Sequence, residues 1–194
     1  MTQNTLGIGG IRVDNKTCRI LCLYDLFYTG RIISFRDIND HMKCYGFEMC
    51  KKTIYRDIQL LKNAGILHVC YSQKLKAYIP ADGDFMYGFC IGDFSPPEFP
   101  ESQNQRRYME RIIRLCNVME QVIRSEIEDP ITWYHSNYPR LSDRTRQRDF
   151  ELLRKVDYYI TYESEEEFGP GGYYYDYPGR GPEAPAWQRA YDFD

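Results

Sequence analysis

The chain has 194 residues, 43% of them hydrophobic and 27% charged, a composition typical of one or two small globular domains rather than of a disordered chain. It contains no run of 18 apolar residues and does not start like a secretory signal, so neither a membrane partner nor export is expected. The seven cysteines are odd in number and are therefore predicted to be reduced thiols, mostly packed in cores.

The net charge of −3 conceals an uneven distribution along the chain. Residues 1–80 hold 12 Lys and Arg against 6 Asp and Glu, whereas residues 81–100 hold no cation and 4 acids. Residues 101–162 are nearly balanced, with 11 against 10, and residues 163–194 hold 2 against 8. The basic N-terminal module favours a polyanionic partner, which the acidic segments would repel.

Three helices are predicted in the first module. Residues 1–15 form a flexible N-terminal segment, and residues 17–29 then place apolar side chains at the spacing of a helix. Ser34 and Asp37 have the spacing of a capping box and start a second helix. A third helix, Lys51–Ala64, has an inner apolar stripe and is followed by a glycine suited to the left-handed conformation.

A β-hairpin follows the third helix. Two strand-like stretches, 66–71 and 77–79, flank a polar turn that carries Lys74 and Lys76. Three helices followed by a hairpin, with a tight turn between the second and third helices, predict a winged helix-turn-helix over residues 16–80. The hairpin would be its wing.

The second half of the chain repeats this order of elements. Residues 81–100 are predicted to be an acidic linker, rich in proline and in aromatic residues expected to dock on a neighbouring surface. Residues 101–178 then read as a long helix, a helix after Asp129, a helix capped by Ser142, and two strands. Residues 179–194 form an acidic aromatic tail that is predicted to be disordered.

The two halves match at a fixed offset of 92 residues, and two matching blocks need no gap between them. The matched pairs are Arg19 and Arg111, Ile20 and Ile112, Leu23 and Leu115, Thr53 and Thr145, Arg56 and Arg148, Asp57 and Asp149, Leu60 and Leu152, and Leu61 and Leu153. Such a repeat predicts an internal duplication. The predicted fold class is therefore mainly α with small β-hairpins, in the α+β class, as tandem winged helix-turn-helix domains.

The segment CKKTIYRDIQLLKNAGI resembles the DNA-binding module of DeoR-type and WYL-type bacterial transcription regulators, over about residues 16–80. The matching residues are Thr53, Ile54, Arg56, Asp57, Ile58, Leu61, Ala64 and Gly65, and Cys50 stands where the family has a capping serine. The second copy is more remote and matches at Leu141, Ser142, Arg144, Thr145, Arg148, Asp149 and Leu153. No sensing domain of the kind found in those regulators follows the first copy.

The resemblance implies a sequence-specific transcription regulator that binds double-stranded DNA, resides in the cytoplasm with the nucleoid, and has neither enzymatic activity nor a cofactor. Its third helix would enter the major groove, while the wing contacts the flanking backbone. The predicted DNA-binding residues are Lys51, Lys52, Thr53, Tyr55, Arg56, Gln59, Asn63, Lys74 and Lys76. Asp57 is assigned a structural role as a hydrogen-bond acceptor.

The second copy leaves two interpretations open. Its third helix carries the residues of a second DNA site, namely Arg144, Arg146, Arg148 and Lys155. Its wing, however, contains four carboxylates within residues 163–167, which would repel phosphate. The helix therefore either docks on DNA without its wing, or the second domain serves a protein contact such as homodimerisation.

Two other classes of protein are alternatives to a transcription regulator. Tandem winged helices also resemble the small acidic subunits of chromosome-condensation complexes, which bind protein, and plasmid-type replication initiators. The acidic segments favour the protein-binding class, and the basic first module opposes it. The cysteine spacings are not those of a zinc site, and the three histidines form no catalytic pattern, so no metal and no active site are predicted.

Overall fold

The computed structural model describes residues 15–29, 32–82, 90–124, 130–163 and 172–176, which form six helices and five strands. In chain order these are α1 Asn15–Thr29, β1 Ile33–Ser34, α2 Phe35–Cys44, α3 Lys51–Asn63, β2 Val69–Ser72, β3 Ala77–Pro80, α4 Gln103–Arg124, α5 Pro130–Asn137, α6 Asp143–Arg154, β4 Tyr159–Glu163 and β5 Gly172–Asp176. This combination of helices with small antiparallel sheets confirms the α+β class. No helix among these residues is both long and apolar enough to cross a membrane.

The strands form two small antiparallel sheets. The first has the order β1-β3-β2, in which Tyr78 of β3 pairs with both Ile33 and Tyr71. The second consists of β4 and β5 alone. Both predicted hairpins are therefore present, and β1 adds an edge strand to the first.

Side-chain caps fix the starts of two helices. At α2 the Asp37 amide donates to Ser34 Oγ at 3.3 Å, and the Ser34 amide donates to Asp37 Oδ2 at 2.7 Å, which confirms the capping box. At α6 the Thr145 amide donates to Ser142 Oγ at 3.4 Å, as the sequence predicts. The chain direction at both helices is thus set locally, before any tertiary contact.

The apolar stripes of the helices meet in one continuous core that includes both halves. The stripe of α3 is buried at Ile54, Ile58 and Leu61, as its spacing predicts. Four cysteines are also buried and behave as small apolar side chains, namely Cys18, Cys22, Cys90 and Cys116. The other three, Cys44, Cys50 and Cys70, are exposed and lie outside the core.

The described part of the predicted linker is bound to the first half. The His68 amide donates to the Cys90 carbonyl at 2.8 Å, and the Phe94 amide donates to the Gly65 carbonyl at 3.0 Å. Farther along, the Glu98 amide donates to the Asn63 carbonyl at 2.7 Å. The Phe94 ring stacks on His68 with 4.8 Å between centroids, which confirms the predicted docking for this aromatic residue. Phe85, Tyr87 and Phe89, predicted to dock as well, lie outside the described residues.

The two halves also meet at a buried carboxyl group on α1. Tyr158, which precedes β4, donates a hydrogen bond to Asp25, and both side chains are buried. The pKa of Asp25 is raised to about 6, chiefly by burial and to a smaller extent by the nearby Asp157 carboxylate, against the opposing effect of the Tyr158 hydrogen bond. The ionisation of one carboxyl group is therefore linked to the contact between the halves.

Two glycines with the same backbone conformation provide a test of the linker contact. Gly65 and Gly46 both have a φ of +75°, but a Cβ on Gly65 would lie 2.0 Å from the Ser95 carbonyl oxygen, whereas a Cβ on Gly46 meets nothing within 4 Å. We expect Gly65→Ala to lower the free energy of unfolding by about 2–5 kcal/mol, and Gly46→Ala by about 1–2 kcal/mol. Urea unfolding measures both, and equal losses would contradict the linker packing.

The Asp25 carboxyl predicts a specific pH dependence of stability. Its pKa is about 6 in the folded protein against an ordinary value of 3.8, so the folded state binds the proton more tightly. The free energy of unfolding of wild type should therefore rise relative to that of Asp25→Asn as the pH falls through about 6. This difference should be lost again as the pH rises through about 6. Urea unfolding of both proteins between pH 7.5 and pH 4.5 gives the difference, and a pH-independent difference would refute the linkage.

Candidate nucleic-acid interface

The outward face of α3 is basic. Lys51, Lys52 and Arg56 are exposed, and Tyr55 beside them is 62% exposed. Because Ile54 and the rest of the inner stripe are buried, the helix presents these side chains away from the core. The structure thus brings together on one surface the cations that the sequence predicts there.

The two amide side chains on α3 are not independent. Gln59 Nε2 donates to Asn63 Oδ1 at 2.8 Å, and both residues are half-buried. This bond leaves the Gln59 carbonyl oxygen and the Asn63 amide nitrogen for other partners, so the pair presents one acceptor and one donor group at a fixed spacing. Such a set matches the edge of a base in the major groove.

Cys50 occupies the N-cap position of α3, but its thiol makes no capping hydrogen bond to the backbone of the first turn. Cys50 Sγ lies 3.3 Å from Thr53 Oγ1, and Thr53, one of the predicted DNA-binding residues, is half-buried. The hydrogen bond from the Thr53 side chain lowers the pKa of the exposed Cys50 thiol, and the Thr53 backbone amide adds to the effect. Cys50 therefore takes the N-cap position that the resemblance assigns to serine.

The predicted wing carries its cations on the turn. Lys74 and Lys76 are exposed between β2 and β3, and Lys76 adopts a left-handed φ of 51°. The Leu75 amide donates to Ser72 Oγ at 3.2 Å, which holds the turn. Both lysines are thus available to a partner that also contacts α3.

A buried ion pair joins α3 to α1. Arg19 Nε lies 2.7 Å from Asp57 Oδ2, and Arg19 Nη2 donates to Asp57 Oδ1 at 3.1 Å, so the pair is bidentate. Asp57 is almost completely buried on the inner side of the helix. This geometry confirms its structural hydrogen-bonding role.

The second half has the corresponding ion pair, with additional partners. Arg114 Nε lies 2.6 Å from Asp149 Oδ2, and Arg111 Nε lies 3.8 Å from Asp149 Oδ1. Tyr134 of α5 also donates its hydroxyl to Asp149 at 2.6 Å. The sequence match identified Arg111, but not Arg114 or Tyr134. Arg114 could have been predicted as a partner of Asp149, because it lies one helical turn after Arg111 and therefore on the same face of α4. No feature of the sequence near Tyr134 predicts its hydrogen bond to Asp149.

Other features recur at the same offset of 92 residues. The residue after the third helix is left-handed in both halves, with a φ of 75° at Gly65 and 65° at Asp157. At the start of the helix, Ser142 Oγ lies 3.1 Å from Thr145 Oγ1, which matches the contact of the first half. The third helices thus share a contact between the N-cap residue and a threonine, a left-handed residue at the end and an aspartate bound by arginine, although only Ser142 caps its helix through a side-chain hydrogen bond to the backbone.

The outward face of α6 differs from the sequence-based prediction at one residue. Arg144, Arg148 and Lys155 are exposed, but Arg146 is buried and its Nη2 lies 3.3 Å from Asp143 Oδ1. Arg146 occupies the position of the buried Ile54, so the geometry of the helix turns it inward despite its charge. The burial of Arg146 does not favour the DNA contact predicted for it. The acidic residues 164–167 lie outside the described residues.

Comparison of the chain with protein-family models, with curated proteins and with solved structures gives no match. The α3 surface and its counterpart on α6 are the features of the described residues that bear on function.

The Arg19–Asp57 pair gives a prediction for stability. Asp57→Ala would leave the guanidinium of Arg19 without its carboxylate, and we expect a loss of about 3 kcal/mol in the free energy of unfolding. The double variant Arg19→Met/Asp57→Leu, which replaces both charges with apolar groups, should lose less than the single variant. Urea unfolding compares them, and a double variant at least as unstable as Asp57→Ala would contradict this account.

Proposed function

We propose that the protein is a sequence-specific DNA-binding transcription regulator whose α3 enters the major groove of double-stranded DNA. The observation that carries the proposal is the division of α3 into two faces. Its inner face is fixed by the apolar stripe and the buried Asp57, and its outer face holds exposed cations beside the bonded Gln59 and Asn63 amides. Charge gives affinity for phosphate, and a fixed amide pair gives discrimination between base edges.

The hairpin supports the same proposal. Lys74 and Lys76 are exposed on the turn that joins β2 to β3, as the wing of a winged helix-turn-helix would require. A wing with two cations would contact the backbone beside the groove that receives α3. The first half would then bind DNA through two separate elements, one that reads bases and one that positions the protein.

We further infer that the two halves are duplicated winged helix-turn-helix units. The repeated anchor, in which Asp57 and Asp149 each bind an arginine of the first helix of their half, supports this inference. The left-handed residue at Gly65 and Asp157 also supports it, because few residues other than glycine adopt that conformation and both occur at the same offset.

The second half has two proposed roles. Arg144, Arg148 and Lys155 on α6 favour a second DNA contact, since they are exposed on the face that corresponds to the basic face of α3. The exposed Glu151 on the same helix and the acids after β4 in the sequence favour contact with a partner copy instead.

Single substitutions test the DNA-binding proposal. We expect Arg56→Ala to weaken binding to a selected duplex by about 1–3 kcal/mol and to relax the preference for its sequence, because Arg56 would contact bases. Lys74→Ala should weaken binding to all sequences alike and reduce the slope of log K against log salt by about one, because it would contact a phosphate. Fluorescence anisotropy with full-length protein and labelled duplexes, after site selection, measures both quantities.

Arg107→Ala is the charge-matched control, since it removes one exposed cation from α4. It should leave the sequence preference unchanged.

Arg148→Ala, tested on the same duplex, assigns α6 to DNA if affinity falls and to a partner copy if it does not. Absence of DNA binding by the wild-type protein at low salt would refute the proposed function and favour a protein-binding role.

A further inference from the structure

An aromatic surface connects α3 to the β2–β3 hairpin. The ring centroid of Phe35, the first residue of α2, lies 5.9 Å from that of Tyr71 and 5.8 Å from that of Tyr78. The Tyr71 and Tyr78 rings meet edge to face at 5.2 Å. Lys51 Nζ lies 5.4 Å from the Phe35 centroid, so the first turn of α3 belongs to the same cluster.

Two of the tyrosines in this region are accessible. Tyr71 is 37% exposed, and Tyr55, one helical turn after Lys51, is 62% exposed. Tyr78 is buried beneath them, and its burial, together with the neighbouring Tyr71 and Tyr55, raises its pKa. The three phenol groups therefore lie near one another, with two of them open to a partner.

The position of this surface determines what it would meet on DNA. If α3 occupies the major groove and Lys74 touches the flanking backbone, the intervening sugar–phosphate strand passes over the residues between them. Those residues carry phenol hydroxyls, which donate hydrogen bonds, and rings, which pack against sugars. They carry no formal charge.

We propose that Tyr55 and Tyr71 donate hydrogen bonds from their hydroxyls to phosphate oxygens of the DNA strand that runs between α3 and the wing. This inference rests on the proposed function and adds a neutral backbone contact to it. A phosphate that is hydrogen-bonded by a neutral group keeps its counterions, so this part of the affinity does not depend on salt. Lys74 and Lys76, in contrast, would displace counterions.

Hydroxyl deletion tests the proposal. Tyr55→Phe and Tyr71→Phe each remove one oxygen and keep the ring, and we expect each to lower affinity for the selected duplex about 10-fold. The slope of log K against log salt should stay at the wild-type value in both variants, whereas Lys74→Ala should lower it by about one. Fluorescence anisotropy with the full-length protein at several salt concentrations gives affinity and slope together.

Tyr28→Phe is the matched control, because Tyr28 lies on α1 with a similar exposure of 38%. It should bind the duplex as wild type does. Wild-type affinity in the double variant Tyr55→Phe/Tyr71→Phe would overturn the inference while leaving the proposed function intact, and so would a reduced salt slope. A protein that binds no duplex at all would refute both.

Chemical substitution of the DNA locates the contact. A methylphosphonate placed at one backbone position at a time replaces one of the two non-bridging oxygens with a methyl group and removes the charge, so each diastereomer is tested separately and one of them lacks the acceptor oxygen that faces the protein. At the phosphate that Tyr71 contacts, wild type and Tyr71→Phe should bind with equal affinity, because the bond is already lost. A 10-fold difference that persists at every substituted position would overturn the assignment of Tyr71 to a phosphate.

Discussion

The position of each third helix depends on a carboxylate buried beneath it. Asp57 and Asp149 lie on the inner faces of α3 and α6, where an unpaired charge would be costly, and each is neutralised by an arginine from the first helix of its half. An apolar stripe alone would tolerate rotation or sliding of the helix, because hydrophobic contacts are not directional. A bidentate ion pair is directional, and it therefore fixes which side chains of α3 point outward. The outer face can be functional only because the inner face has this one defined register.

The buried carboxylates Asp57 and Asp149 have different numbers of hydrogen-bond and ion-pair partners. In the first half one arginine binds the carboxylate, whereas in the second half Arg114, Arg111 and the Tyr134 hydroxyl all converge on Asp149. The second half also buries Arg146 against Asp143 and the Phe150 ring, where the first half has Ile54. Burying two charged residues of α6, Arg146 and Asp149, requires partners for both of them. In the first half α3 buries only one charged residue, Asp57, and its outer face is exposed and basic.

Structural features that depend on a residue and its near neighbours in the chain were mostly predicted from the sequence. The helix over Lys51–Ala64, the capping box at Ser34 and the left-handed Gly65 follow from spacing and from the conformational limits of single residues, and the structure confirms them. The repeat also located Asp57 and Asp149 correctly. The burial of Arg146 was missed because its charge was given more weight than its position on the helix. The partners of residues 90–98 could not be predicted, because backbone hydrogen bonds between distant segments have no side-chain signature.

The attachment of residues 90–98 to the first half limits how the spacing of the two halves can change in evolution. These residues are hydrogen-bonded along Asn63–His68, so the first half effectively ends near residue 98, only a few residues before α4 begins at Gln103. Residues inserted between positions 82 and 90 would leave residues 90–98 attached to the first half and the distance between the halves unchanged. Lengthening the chain at that point therefore cannot change the spacing of the halves, which also share one core. New arrangements of the two surfaces would have to arise through substitutions on the helices themselves.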